Sequence, residues 1–162
     1  MTFLDLYIII IKLTIITHKG ICDMTRKEQR EATFELLFER EFRPQESAEE
    51  IFALSTENRD IDAVKEKYIK NTYFGVVEHE AEIDALITEA SNGWKVSRLS
   101  KTTRSVIRLC VYEMMYCEDI PHTVSINEAL ELVKKYDEPK SRAFTNGVLN
   151  NIKEKLEAKN EQ

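Results

Sequence analysis

Residues 101–117, KTTRSVIRLCVYEMMYC, decide the fold because they have the pattern of one long helix. Apolar side chains recur in this stretch at steps of three and four, the spacing of one helical face: Val106, Leu109, Cys110 and Met114. The segment Asp119-Ile-Pro121 follows directly and ends the helix, because proline lacks an amide hydrogen and restricts the preceding residue. The stretch therefore predicts an amphipathic helix that packs by one face.

Helical patterns also precede this stretch. The capping box Thr25–Glu28 predicts the start of a first helix, and Pro44 ends it. Ser47 can cap a second, short helix. A longer pattern over about 61–91 predicts a third helix, which ends at Asn92-Gly93, since both residues tolerate the left-handed conformation.

Two more helices are predicted on the C-terminal side. Ser125–Glu128 has the pattern of a second capping box, and Asp137-Glu-Pro139 ends that helix. The last helix begins at about Ser141 and contains Gly147, which predicts close approach of a neighbouring helix. After residue 23 no segment alternates like a strand, and 162 residues contain only four Gly and three Pro. The sequence therefore predicts an all-α fold.

The first 23 residues do not fit the rest of the chain. Their apolar run, Phe3–Thr17, is too short for a membrane span and is interrupted by Asp5 and Lys12. It also lacks the basic start and the cleavage site of a signal peptide. We interpret residues 1–23 as a dispensable extension, with a membrane anchor or an extra packed segment as alternatives. One domain is expected over 24–157, followed by a polar tail at 158–162.

Catalytic and metal-binding patterns are missing from the sequence. The three histidines are scattered, and four glycines leave no Gly-rich phosphate loop. Cys110 and Cys117 are interpreted as small buried residues. An odd number of cysteines, three, makes no disulfide framework and favours a reducing cytoplasm. We therefore expect no catalytic residues, no metal site and no cofactor.

The net charge of −6 conceals an asymmetry along the chain. Residues 24–93 carry 17 acidic and 9 basic side chains, whereas residues 94–162 carry 10 acidic and 12 basic ones. Basic residues near a helix start, with an aromatic ring close by, can bind phosphate and stack a base. The third of three basic clusters has such a ring, and all three are candidate nucleic-acid sites: Arg26, Lys27 and Arg30; Lys101, Arg104 and Arg108; and Lys140, Arg142 and Phe144.

Simpler explanations compete with each cluster. Lys101, Arg104 and Arg108 step by three and four, so they share one helix face apart from the apolar stripe, and we expect them to be exposed. On spacing alone, a solvated polar face is the better explanation, and the basic cluster at the start of the last helix shifts the balance toward binding. Phe144 lies on the apolar stripe of the last helix, so it is either core or a partly exposed ring that stacks on a base.

Three stretches carry a resemblance to a known family. They are Arg98–Met114, Asp119–Tyr136 and Phe144–Leu149. The order I-N-E-A from Ile126, followed later by F-hydrophobic-N-G-V-L, is specific to the NusB family of transcription antitermination factors and its relatives. The resemblance covers about 24–157, with Thr145 in place of the family's hydrophobic residue.

The resemblance implies about six to seven helices in two packed, perpendicular subdomains, without catalytic activity. It implies a cytoplasmic factor that binds boxA RNA together with the ribosomal protein NusE, in the antitermination complex on RNA polymerase, notably on ribosomal RNA operons. It places RNA contacts on the three clusters above. The N-terminal cluster departs from the family, because some members are arginine-rich there. Some members self-associate, so a homodimer stays open.

Two alternatives to this function remain. The same helical fold forms the RNA-binding N-terminal domain of some ribosomal RNA cytosine methyltransferases, of which this chain would be a fragment. A helical dimerisation module with a merely solvated basic face is the other alternative.

A chain that begins at Met24 is expected to fold as the full chain does, because residues 1–23 lie outside the predicted domain. Its melting temperature, measured by circular dichroism, should stay within a few degrees. Loss of solubility or of the cooperative transition would show that the first 23 residues are part of the fold.

Overall fold

The computed structural model describes residues 24–59, 61 and 67–160, and all regular secondary structure in these residues is helical. Residues 1–23, which are the predicted dispensable extension, lie outside the described residues. Seven α-helices and one 3₁₀ turn are described: α1 Arg26–Arg40, α2 Ala48–Arg59, α3 Lys67–Glu78, α4 Glu80–Ala90, the 3₁₀ turn Val96–Arg98, α5 Lys101–Tyr116, α6 His122–Tyr136 and α7 Pro139–Asn160. The predicted all-α class is confirmed.

Side chains cap the first two helices as the sequence predicts. The Glu28 amide donates to the Thr25 hydroxyl at 3.3 Å, and the Thr25 amide donates to the Glu28 carboxylate at 2.7 Å. Ser47 and Glu50 make the same reciprocal pair at the start of α2, at 3.2 and 2.9 Å. These bonds satisfy amides that have no partner inside the helix.

The long helix predicted over 61–91 is two helices. The backbone leaves helical geometry at His79, with φ −98° and ψ 14°, between α3 and α4. The resulting turn lets α3 pack against α1 while α4 packs against α7. Periodicity alone missed the turn because the apolar spacing continues through it.

The second predicted capping box is wrong. α6 begins at His122, and Ser125 is buried within it rather than capping it. Pro121 explains the earlier start, because its φ of −59° already suits the first turn of a helix. Asn92 and Gly93 do take the left-handed conformation, with φ of 54° and 84°, as predicted.

Helix α5 lies at the centre of the fold. It packs against α1, α3, α4, α6 and α7, so five helices surround it. The four apolar residues that predicted this helix are buried, but so are Ile107, Arg108 and Val111 on its other sides. The predicted separate polar face of α5 is therefore largely covered by its neighbours.

The close approach predicted at Gly147 is also wrong. A methyl group at Gly147 would meet nothing within 4 Å, and the residue is exposed. The close approach occurs at Gly75 in α3, where a Cβ atom would lie 2.2 Å from Cζ of Tyr112. Only glycine lets the Tyr112 ring of α5 lie this close to α3.

Alanine substitutions at the two glycines are expected to differ in their effect on stability. Gly147→Ala is expected to raise stability by about 1 kcal/mol, or about 2–4 °C in melting temperature, because alanine favours an open helical position. Gly75→Ala gains the same helix propensity but must displace the Tyr112 ring, so this variant should have a lower melting temperature than Gly147→Ala. Thermal denaturation of both variants checks this order, and the reverse order would contradict the packing described.

Candidate RNA interface

The structure brings the basic cluster of α5 together around Glu41, the residue that follows α1. Lys101 donates from Nζ to the Glu41 carbonyl oxygen at 2.9 Å and lies 3.8 Å from the centre of the Phe42 ring. Arg104 holds the Glu41 carboxylate with two nitrogens, Nε and Nη2. Both cations therefore already stabilise the C-terminal end of α1.

Arg108 lies deeper in the same cluster. It donates two hydrogen bonds to Asp84, at 2.8 and 2.7 Å, and a third to Glu41 at 2.9 Å. Glu80 lies 3.4 Å away, and only 9% of the residue is exposed. The expectation that Arg108 is exposed is therefore wrong. The acidic partners come from α4 and from the end of α1, which spacing along α5 cannot reveal.

The N-terminal cluster is split between the interior and the surface. Arg30 is 3% exposed and pairs with Glu113 at 2.9 Å and with Glu128 at 3.5 Å. Arg26 and Lys27 are exposed, with the Arg26 guanidinium 4.4 Å from the centre of the Tyr68 ring. Since α1 has 15 residues, its two ends lie ~21 Å apart. The first cluster thus lies far from the Lys101 end of α5.

The third cluster lies at the start of α7. Lys140 is exposed and pairs with Glu138 at 2.6 Å, while Arg142 is exposed and forms no ion pair with any described residue. Phe144 is half-buried and packs against the hydrophobic core, so part of its ring is accessible, and its stacking on a base stays a prediction. Thr145, the departure from the family pattern, is buried and donates to the Ser141 carbonyl at 2.7 Å, so its hydroxyl is satisfied.

An exposed tryptophan, Trp94, lies beside Phe144 at this end of the molecule. The sequence did not identify it as a site residue. Trp94 is 57% exposed, and its ring centre lies 6.0 Å from that of Phe144. The available signal was the chain's single tryptophan directly after the Asn92-Gly93 turn and before Lys95 and Arg98. Its contact with Phe144, 50 positions further along the chain, is not visible in the sequence.

Comparison with known proteins shows the family to which this chain belongs. The NusB family model matches residues 27–154, which is most of the chain. The chain belongs to the NusB family. The transcription antitermination protein NusB of Agathobacter rectalis is 46% identical over 127 residues, covering 78% of this chain and 97% of that protein.

Solved NusB structures have the same fold. NusB of T. maritima superposes with a TM-score of 0.73 at 35% identity, covering 84% of this chain and 99% of that one. A crystal structure of the antitermination factors NusB and NusE in complex with dsRNA contains a chain with a TM-score of 0.70 and 30% identity, covering 78% of this chain and 94% of that one. The predicted family and fold are confirmed.

In the parts that the structure describes, no group of three His, Cys, Asp or Glu side chains could hold a metal ion. Burial raises the pKa of Cys110 well above its ordinary value and that of Cys117 to about 11, so both thiols stay protonated. No helix within the described ranges is both long and apolar enough to cross a bilayer.

Charge reversal is expected to destabilise this NusB fold at buried, paired arginines and to have little effect on stability at exposed ones. Arg108→Glu places a carboxylate among Asp84, Glu80 and Glu41, and is expected to lower the free energy of unfolding by at least about 3 kcal/mol. The matched control Arg142→Glu should change it by about 0.5 kcal/mol or less. Urea denaturation measures both, and an Arg108→Glu protein as stable as wild type would contradict the network described.

Proposed function

We propose that this chain is a transcription antitermination factor that binds boxA RNA together with the ribosomal protein NusE. The observation that carries the proposal is 46% identity to an antitermination protein of which the chain covers nearly the whole length. A similar fold has been solved with NusE and RNA, which supports both partners. The proposed complex assembles on RNA polymerase in the cytoplasm, notably on ribosomal RNA operons, and the chain itself does no catalysis.

Accessible residues of the basic clusters are proposed to contact the RNA. At the α1 end these are Arg26 and Lys27, and at the α7 end they are Lys140, Arg142 and Phe144. All five are exposed or half-buried, so phosphates and bases can reach them. Lys101 is half-buried and keeps partial access to the same RNA, whereas the charge of half-buried Arg104 is already compensated by the Glu41 carboxylate, so no phosphate contact is proposed for Arg104.

Arg30 and Arg108 belong to the predicted RNA-binding set but are assigned a different task. Each is buried and held by at least two carboxylates. A phosphate would have to compete with these carboxylates for the same guanidinium. We therefore infer that both arginines position the helices that carry the RNA contacts.

The overall charge of −6 favours a basic co-binder. RNA binding draws most of its affinity from neutralised phosphates, so an acidic protein alone is expected to bind weakly. A second protein that contributes positive charge strengthens the complex, which is the proposed task of NusE. A homodimer is a further arrangement consistent with the family, and gel filtration of the RNA-free protein tests it.

The alternatives are less well supported. The methyltransferase hypothesis is less well supported, because NusB relatives at 46% and 39% identity are named antitermination proteins and the match covers 97% and 88% of their length. A pure dimerisation module gives no reason for an aromatic ring beside exposed cations at the start of α7. RNA affinity measured with and without NusE separates the dimerisation module from the proposed function.

Phe144→Ala is expected to weaken RNA binding about tenfold, which corresponds to about 1.4 kcal/mol and lies at the low end of stacking on one base. The ring is half-buried, so the melting temperature should fall by only a few degrees. Anisotropy of labelled boxA RNA, with NusE present, gives the affinity, and Phe144→Tyr is the control that keeps an aromatic face. A large fall in melting temperature with unchanged RNA affinity would show that Phe144 acts only in the core.

A further inference from the structure

Trp94 is the most exposed large apolar side chain among the described residues, and it touches a second aromatic ring, Phe144. An exposed indole offers a large flat face that another ring can cover, which buries apolar surface. We propose that Trp94 is the principal base-stacking surface for an unpaired nucleotide of single-stranded RNA, with Phe144 behind it. This assignment rests on the proposed function, and it adds a residue and a mode of binding to it.

The loop that presents Trp94 has a fixed backbone. Asn92 and Gly93 both have positive φ values, which reverse the chain after α4. The Ser91 hydroxyl donates to the Trp94 carbonyl at 2.9 Å, and the Trp94 amide donates to the Ser91 carbonyl at 3.3 Å. Val96 is buried two residues later. The indole therefore projects from a loop that is anchored on both sides.

The same loop is held against α7, the helix that carries Phe144. The Asn151 side chain of α7 donates to the Ala90 carbonyl at 3.0 Å, at the end of α4. At the start of α7, the Asp137 carboxylate accepts from the hydroxyls of Ser100 and Thr103, both at 2.6 Å. These bonds fix the Trp94 loop and the start of α7 relative to each other before any ligand binds.

The geometry of the two rings decides where a base stacks. Their centres are 6.0 Å apart with an interplanar angle of 57°, which is the range of direct contact between aromatic rings. No space is left for a base between them. Phe144 is half-buried whereas Trp94 is mostly exposed, so the larger accessible face belongs to Trp94. A base therefore stacks on the outer face of the indole while Phe144 supports its other side.

Three exposed cations lie close to the two rings along the chain and favour an anionic ligand. Lys95 and Arg98 follow Trp94 in the chain, and Arg142 lies two residues before Phe144. All three cations are exposed and form no ion pair with any described residue. Single-stranded RNA offers both a base for the indole and phosphates for these cations. The two rings and the three cations together are called the Trp94 patch.

The experiment uses the fact that Trp94 is the only tryptophan in the chain. A short single-stranded boxA RNA with a dye at its 5′ end is titrated against the full chain, first alone and then with NusE present. Anisotropy of the dye reports binding, and emission of the indole reports stacking. Binding should quench Trp94 emission in step with the rise in anisotropy. A fully paired duplex of the same sequence should bind without that quenching, because its bases are not free to stack.

Three variants test the role of the ring and of the charge beside it. Trp94→Leu keeps an apolar side chain but loses the stacking face, and it should bind the RNA about tenfold more weakly. Trp94→Phe retains an aromatic face and should bind within a few-fold of wild type. Arg142→Gln should weaken binding and flatten its salt dependence. Both Trp94 variants should melt near the wild-type temperature, since the ring is exposed.

The outcomes distinguish failure of this inference from failure of the proposed function. If the labelled RNA does not bind the wild-type chain, with or without NusE, the proposed function fails. If the RNA binds but indole emission and the Trp94→Leu affinity stay unchanged, RNA binding stands and the Trp94 assignment is overturned. If Trp94→Leu weakens NusE binding measured without RNA and leaves RNA affinity intact, the ring contacts protein, and the assignment is likewise overturned. Should Trp94→Leu fail to fold, quenching of the wild-type indole still decides.

Discussion

The enclosure of α5 by five other helices is the constraint on which the rest of the structure depends. In this position the helix buries two of its charged side chains, Arg108 and Glu113, and a buried charge is costly unless it is paired. Glu113, which is fully buried, accepts from Arg30 of α1 and from Tyr68 of α3. Arg108 is held by Asp84 and Glu41. The ion pairs of Arg30 and Arg108 join α5 to α1 and α4, and the hydrogen bond from Tyr68 joins it to α3, so together they fix how these helices meet.

The same pairing divides the basic residues into two groups. Arg104 and Arg108 of α5 and Arg30 of α1 pair with carboxylates from other segments, so most of their charge is already compensated. Cations of the Trp94 patch lie at the edge of the bundle, and Lys95, Arg98 and Arg142 have no carboxylate paired with them in the described chain. Rigid helices thus present accessible charge and an aromatic face together, which is the arrangement that single-stranded RNA requires.

Local signals in the sequence predicted much of the fold. Capping at Thr25 and Ser47, the left-handed turn at Asn92-Gly93 and the apolar stripe of α5 all depend on residues within a few positions of one another. Contacts between distant segments were not predictable in this way. Glu41 lies 67 positions from Arg108, and Trp94 lies 50 from Phe144. Consequently charge and spacing identified candidate cations but could not tell which of them are already paired.

The salt dependence of RNA binding tests this division most directly. With single-stranded RNA, the slope of log affinity against log salt decreases in magnitude by about 0.7 for each phosphate that the protein no longer neutralises. The slope is to be measured for wild type, for Arg142→Gln and for Arg104→Gln, with each variant checked for folding. We predict that Arg142→Gln lowers its magnitude by about 0.7 while Arg104→Gln leaves it close to wild type. A decrease of that size for Arg104→Gln, with no change for Arg142→Gln, would contradict the division of the cations into paired and accessible groups.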